Sequence, residues 1–210
     1  MVNVLYIVIV ISVVLVSMTF HEAMHAFAGY WLGDDTAKLQ GRLTLNPFKH
    51  LDPFLSVLLP ITLALIGAPI FGGAKPVPFN PKNVKWGEWG VAIVALAGPI
   101  TNFLIAFICF GIWVAIGLPN TDITGKIFGS IISINLGFFI FNIIPIPPLD
   151  GSRVLYVLAP EFVRRGMDAL ERFGTTIIFL LILLTGSSVG VFISSVITFF
   201  INIFAKFFGL

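Results

Sequence analysis

Residues 21–25 of the 210-residue chain read His21-Glu22-Ala23-Met24-His25. Two histidines four positions apart lie on one helical face, one turn apart, close enough to grip a single metal ion. Glu22 follows His21 and stands beside that face, within reach of a metal-activated water without being a ligand. The chemistry such a set supports is metal-assisted hydrolysis, for which a catalytic zinc takes three protein ligands and keeps one position open. His50, Asp52 and Asp150 are the candidates for the third ligand, and spacing alone does not choose among them. Asp150 closes the run Asn142-Ile143-Ile144-Pro145-Ile146-Pro147-Pro148-Leu149 and precedes Gly151. The prolines deny that run a regular helix, so Asp150 is free to turn towards another segment. The single cysteine, Cys109, excludes an internal disulfide and any multi-cysteine metal site.

The elements that must position these residues are apolar. Hydrophobic residues make up 58% of the chain and charged residues 10%, with 12 basic against 10 acidic side chains and a net charge of +2. Soluble domains carry about 25% charge. So little charge cannot cover an ordinary soluble globule, and it excludes a disordered chain and a nucleic-acid binder with a basic face. A polytopic membrane protein remains. Five stretches are free of Asp, Glu, Lys and Arg: residues 1–21, 53–74, 91–121, 127–149 and 174–205. The first is expected to continue as helix to Leu32 and to stay in the mature protein, since no basic residue precedes it and no small-residue cleavage site follows. The last is expected to break at Thr185-Gly186-Ser187-Ser188. Trp31, Trp86, Trp89 and Trp113 sit near segment ends, as an interfacial belt would place them. His-Glu-x-x-His thus falls on the polar end of a spanning segment. Each ionisable group at mid-bilayer costs on the order of 2.5–3.5 kcal/mol, which a bound zinc would offset.

Three motifs together resemble the signatures of the site-2 protease family of intramembrane zinc metalloproteases: His21 to His25, Gly98-Pro99-Ile100-Thr101-Asn102, and Asn142 to Gly151. The resemblance covers roughly residues 5–165. It implies one Zn2+ per chain held by His21, His25 and Asp150, with Glu22 as catalytic acid/base. It further implies that Asn142 contacts the substrate backbone and that a strand-like Gly72 to Phe79 lies beside the active site. Gly72, Gly73, Ala74, Lys75, Pro76 and Val77 are therefore expected substrate-binding residues, together with Asn102. The implied fold is an all-α polytopic membrane protein, one domain over 1–210. It comprises a three-helix catalytic core, a short membrane-embedded β-strand region, a re-entrant or interfacial segment at 53–70 and a broken C-terminal segment over 174–208. The length leaves no room for the PDZ or CBS domain of many members. The implied substrates are single-pass or other transmembrane proteins in the lipid bilayer, and no nucleic acid is expected.

An intact transmembrane helix hides its peptide bonds, so the scissile bond must become extended. Pro76 and Pro78 alternate, which puts the missing donors on one edge of the strand and leaves the other free to pair with substrate. Placing His21, His25 and Asp150 on one zinc requires an even number of crossings between the first helix and Asp150. Segment 53–70 therefore cannot be a simple third crossing. That topology collects Lys38, Arg42, Lys49, Lys75, Lys82, Lys85, Arg153, Arg164, Arg165 and Arg172 on the active-site side, ten of the 12 basic residues. The positive-inside rule makes that side cytoplasmic, in a bacterial inner membrane. A transporter would need polar groups spread over several helices, usually with an internal repeat, and neither is present. A metal-binding membrane protein without proteolytic activity would use the same ligands, and only the fate of Glu22 separates it from the protease.

Overall fold

The computed structural model describes residues 4–53, 58, 62, 73–118 and 123–210, with only the backbone at 175, 177–179 and 181–187. Four helices are long and apolar enough to cross a membrane: Val4–Trp31, Gly87–Ala115, Ile123–Asn142 and Ser188–Phe207. Their length and composition are those of the helices of a polytopic membrane protein. In chain order the described helices are α1 (Val4–Trp31), α2 (Thr36–Leu39), α3 (Pro47–His50), α4 (Gly87–Ala115), α5 (Ile123–Asn142), α6 (Gly151–Leu158), α7 (Glu161–Glu171) and α8 (Thr175–Phe207).

Three of them, α1, α4 and α5, pack against one another. Side-chain bonds set their directions. His25 of α1 meets the Val94 carbonyl of α4, while Asn102 of α4 meets Ser17 of α1, so these two helices run antiparallel. Asn135 of α5 stands level with Ser17, and α5 descends from there to the loop that carries Asp150, parallel to α1. Ala23, Ala26, Ala92, Ala95 and Ala106 are buried at these contacts, and small side chains let membrane helices approach closely. Helix α8 covers the far half of the bundle. Phe204 is buried among Ala106, Phe110, Ile132, Leu136 and Ile140. Rings of Phe103, Phe107 and Phe110 meet it edge-on, with centroids 5.1–5.8 Å away.

Two expectations are corrected. The expected break at Thr185–Ser188 does not occur, because α8 runs unbroken for 33 residues. Each Gly or Ser costs at most about 1 kcal/mol within a helix, less than an unsatisfied peptide group in lipid. Nor is there a strand among the described residues: Gly73 to Asn80 is irregular chain. Pro76 and Pro78 have no N–H to offer a ladder. The Lys75 N–H donates to the His50 carbonyl (2.9 Å), and the Val77 N–H donates to a side chain. Gly72 lies outside the described residues.

Most of segment 53–70 also lies outside the described residues. The chain before and after it is nonetheless tied together. His50 bonds Lys75, Asp34 accepts from the Asn80 N–H (2.7 Å), and the Lys85 N–H donates to the Leu32 carbonyl (2.8 Å). A simple single crossing between His50 and Lys75 would part them by the bilayer core, about 30 Å.

Asp34 is the hub of this closure. It is 1% exposed and also accepts from the Thr36 hydroxyl, the Thr36 N–H and the Asn83 amide. Burial alone would push its carboxyl up, but the donors from Thr36, Asn80 and Asn83 outweigh it and hold the group below the ordinary carboxylate value.

Candidate metal centre

His21 and His25 lie in the last third of α1, on the face turned to α4. Their rings meet edge to face with centroids 4.7 Å apart. Gly98 of α4 makes room for them. A Cβ there would stand 2.5 Å from His25 Nε2 and 2.8 Å from His21 Cε1. The glycine of the second motif is thus a site requirement, since any side chain would occupy the volume of the imidazoles.

Asp150 arrives from the other direction. Helix α5 ends at Asn142, the proline run turns the chain back, and α6 begins at Gly151. A Cβ on Gly151 would lie 2.1 Å from the Ile143 carbonyl oxygen, so only glycine lets the returning chain press against the end of α5. Asp150 occupies the N-cap position of α6, where aspartate usually bonds the first turn, yet its carboxylate makes no cap bond. It faces the histidines instead. Asp150 Oδ2 lies 3.1 Å from His21 Nε2 and 3.4 Å from His25 Nε2, and the two Nε2 atoms are 3.1 Å apart. Ligand atoms about 2.0–2.1 Å from a tetrahedral zinc stand about 3.3–3.4 Å from one another, so this triangle has the dimensions of three tetrahedral positions. Oδ2 is buried with no hydrogen-bond partner. Such an oxygen, facing two imidazole nitrogens, fits a cation.

Both rings are held from behind. His25 Nδ1–H donates to the Val94 carbonyl at 2.8 Å, and His21 Nδ1 meets Asn102 Oδ1 at 2.6 Å. In each case Nε2 is left facing Asp150, the arrangement outer partners impose on metal-binding histidines. Glu22 points elsewhere. Its Oε2 accepts from the Val77 N–H at 3.0 Å, which brings the irregular segment 73–80 to the edge of the site. The Lys75 carbonyl accepts from Arg42 Nη2 at 2.6 Å, so the segment is anchored on both sides.

Of the three candidates for the third position, Asp150 alone joins the histidines in a three-residue cluster of possible metal ligands among the described residues. His50 is 1% exposed, and its Nε2 bonds the Thr44 carbonyl at 2.8 Å, so it belongs to loop structure. Asp52 is not part of the cluster. Asn102, expected among the substrate-binding residues, is 0% exposed and has both amide atoms engaged, by His21, Ser17 and Asn135. Asn142 is half-buried, and its Nδ2 donates to the Phe138 carbonyl one turn back. Gly73 to Val77 lie next to the site through Glu22, with both described backbone donors at Lys75 and Val77 engaged inside the chain.

Sequence reasoning missed Asn135 and Ser17, which stand behind Asn102, and Asp34. None belongs to a motif, and the only signal was polarity: Ser17 and Asn135 are uncharged polar residues within otherwise apolar spanning segments. Arg153 pairs with Glu171 and so joins α6 to α7.

The comparisons agree with the motifs. Residues 119–186 match the model of peptidase family M50. YwhC of Bacillus subtilis, named as a zinc metalloprotease, is 42% identical over 178 residues, covering 81% of this chain and 78% of its own. Rip2 of Mycolicibacterium smegmatis, also named as a zinc metalloprotease, is 33% identical over 178 residues, covering 84% and 67%. MJ0611 of Methanocaldococcus jannaschii, named likewise, is 46% identical over 63 residues, covering 30% of this chain and 31% of its own. No solved structure matches. With the YwhC likeness spanning most of both proteins, and all three motifs present, the chain belongs to peptidase family M50, the site-2 protease family.

Proposed function

We propose that this protein is an intramembrane zinc metalloprotease that hydrolyses peptide bonds within or next to transmembrane segments of membrane proteins. The observation that carries this reading is the triangle of His21 Nε2, His25 Nε2 and Asp150 Oδ2, with sides of 3.1–3.4 Å; Glu22, next to His21 in the chain, holds the Val77 N–H at the edge of the site. His21, His25 and Asp150 would hold the zinc. When bound, zinc supplies a Lewis acid that activates water and polarises the scissile carbonyl. Glu22 takes the proton of the attacking water on a carboxylate oxygen as the C–O bond forms, and delivers it to the amide nitrogen as the C–N bond breaks. Asn102 and the Val94 carbonyl engage Nδ1 of His21 and His25, which would leave their Nε2 lone pairs free to hold the metal.

The substrate enters beside segment 73–77. Because Val77 N–H is bonded to Glu22, an extended substrate that pairs with this segment releases the carboxylate as it binds. Asn142 contacts the substrate backbone through the oxygen its helix does not use. The active site faces the cytoplasm of a bacterial inner membrane, in keeping with ten of 12 basic residues on that side.

Glu22→Gln tests the reading. The purified variant is expected to retain one zinc per chain and to lose cleavage of a reconstituted single-pass substrate. Asp150→Ala is expected to lose the zinc and Asp52→Ala to keep it. Full cleavage by Glu22→Gln refutes the assignment of the base.

A further inference from the structure

Behind His21 runs a line of buried polar side chains, of which Asn102 closes the second motif while Asn135 and Ser17 belong to none. His21 Nδ1 meets Asn102 Oδ1 at 2.6 Å, Asn102 Nδ2 donates to Asn135 Oδ1 at 2.8 Å, and Asn135 Nδ2 donates to Ser17 Oγ at 2.8 Å. Asn102 and Asn135 are 0% exposed and Ser17 is 3% exposed, so water does not enter the line. An amide side chain can be turned over, exchanging its donor and acceptor, and the orientation of each must follow from its neighbours.

Two backbone carbonyls settle it. The Ile131 carbonyl, 2.8 Å from Asn135 Nδ2, can only accept, so Asn135 must direct its NH2 there and its oxygen towards Asn102. Asn102 must then direct its NH2 at that oxygen, and at the Ser17 carbonyl 3.3 Å away, which also only accepts. Its own oxygen is left facing His21. A carbonyl oxygen there requires the proton on Nδ1, which frees the Nε2 lone pair for the metal. Were Asn102 reversed, its NH2 would require an unprotonated Nδ1, and the proton would move to Nε2 in the ligand position.

We infer that Asn135, oriented by the Ile131 carbonyl and Ser17, is a positioning residue that fixes the metal-binding tautomer of His21 through Asn102. The inference rests on the metal site proposed above. It also gives α5 a second part in that site besides carrying Asp150. Polar groups this deep in a spanning bundle are costly without partners, and here each meets one from a different helix.

The test uses two substitutions that separate packing from orientation. Asn135→Leu removes the nearer of the two acceptors that orient Asn102 and leaves only the Ser17 carbonyl at 3.3 Å. Asn135→Asp, protonated in this buried place, keeps a carbonyl towards Asn102 and an O–H towards the Ile131 carbonyl. Zinc dissociation constants are measured by chelator competition on the full chain in detergent, beside metal-free unfolding temperatures. Asn135→Leu is expected to weaken zinc roughly tenfold, at the low end of the range for outer partners of a metal ligand. Asn135→Asp is expected to hold zinc within a factor of roughly two of wild type, even where it unfolds more readily. Should Asn135→Leu fail to fold, Ser17→Ala removes one acceptor of the Asn135 amide and is expected to weaken zinc roughly threefold. Zinc affinity that tracks unfolding temperature across the set, or is unchanged in Asn135→Leu, overturns the inference. If wild type holds no more zinc than His21→Ala, the metal site itself is absent and both readings fall.

Discussion

Gly98→Ala adds one methyl group at the place where the two imidazoles rest on α4. The added carbon would stand 2.5 Å from His25 Nε2, 2.7 Å from His25 Cε1 and 2.8 Å from His21 Cε1. Ordinary contact between such atoms is about 3.5 Å, so the His25 ring must retreat by about 1 Å or the helices must part by as much. Neither is easy. His25 is held by Val94 and His21 by Asn102, and α1 and α4 meet through small buried residues. Metal–ligand distances tolerate about 0.2 Å, so a 1 Å displacement takes at least one nitrogen out of the triangle. A misplacement of that size costs about 100-fold in rate, or about 2.7 kcal/mol. The assay is zinc content after dialysis against a weak chelator, together with cleavage of a reconstituted transmembrane substrate. Gly129→Ala is the control, because a Cβ there meets nothing within 4 Å. It is expected to keep both zinc and activity. Gly98→Ala with wild-type zinc retention and wild-type cleavage would show that the rings do not occupy the position described, and the reasoning from this glycine would fail.

Two further outcomes are expected. Asp34→Ala leaves the donors of Thr36, Asn80 and Asn83 unpaired and is expected to cost about 3 kcal/mol, read from thermal unfolding in detergent. Because the Asp34 carboxyl is held below its ordinary value, its contribution is present in full above about pH 4 and is lost as pH falls through the folded value, so wild type and variant should converge in acid. On a Cys109→Ser background, new cysteines at Gly41 and Lys82 should react with an impermeant reagent from one side of the membrane and one at Ile123 from the other. Gly41 and Lys82 labelling from opposite sides would make residues 53–70 a single crossing.

The resting state of Glu22 differs from the expectation of an open edge. Proline alternation at Pro76 and Pro78 was read as leaving one edge of a strand free, since proline only removes donors. Which acceptors take the remaining donors depends on what lies across from them. The Lys75 N–H meets His50, and the Val77 N–H meets the carboxylate of Glu22, 55 residues earlier. The segment is thereby bonded to the carboxylate of Glu22, the group proposed above as the base.

The spacing of His21 and His25, with Glu22 between them, was legible without coordinates because helix geometry alone puts i and i+4 on one face. The apolar segments were legible too, since lipid demands long uninterrupted runs. The proline run before Asp150 announced a chain reversal, because proline cannot continue a helix. Sequence could not choose among His50, Asp52 and Asp150, as spacing does not separate them and the choice turns on which loop folds back over α1. Tertiary structure brings Asp150 beside the two histidines by setting α5 parallel to α1 and pressing Gly151 against Ile143. It also moved Asn102 from the substrate side to the back of His21, and recruited Asn135 and Ser17, whose places in the chain lie 118 residues apart. Helical periodicity is local and acts over a few residues. Which polar groups meet inside a bundle depends on helix direction and axial register, and those are decided only when the helices pack.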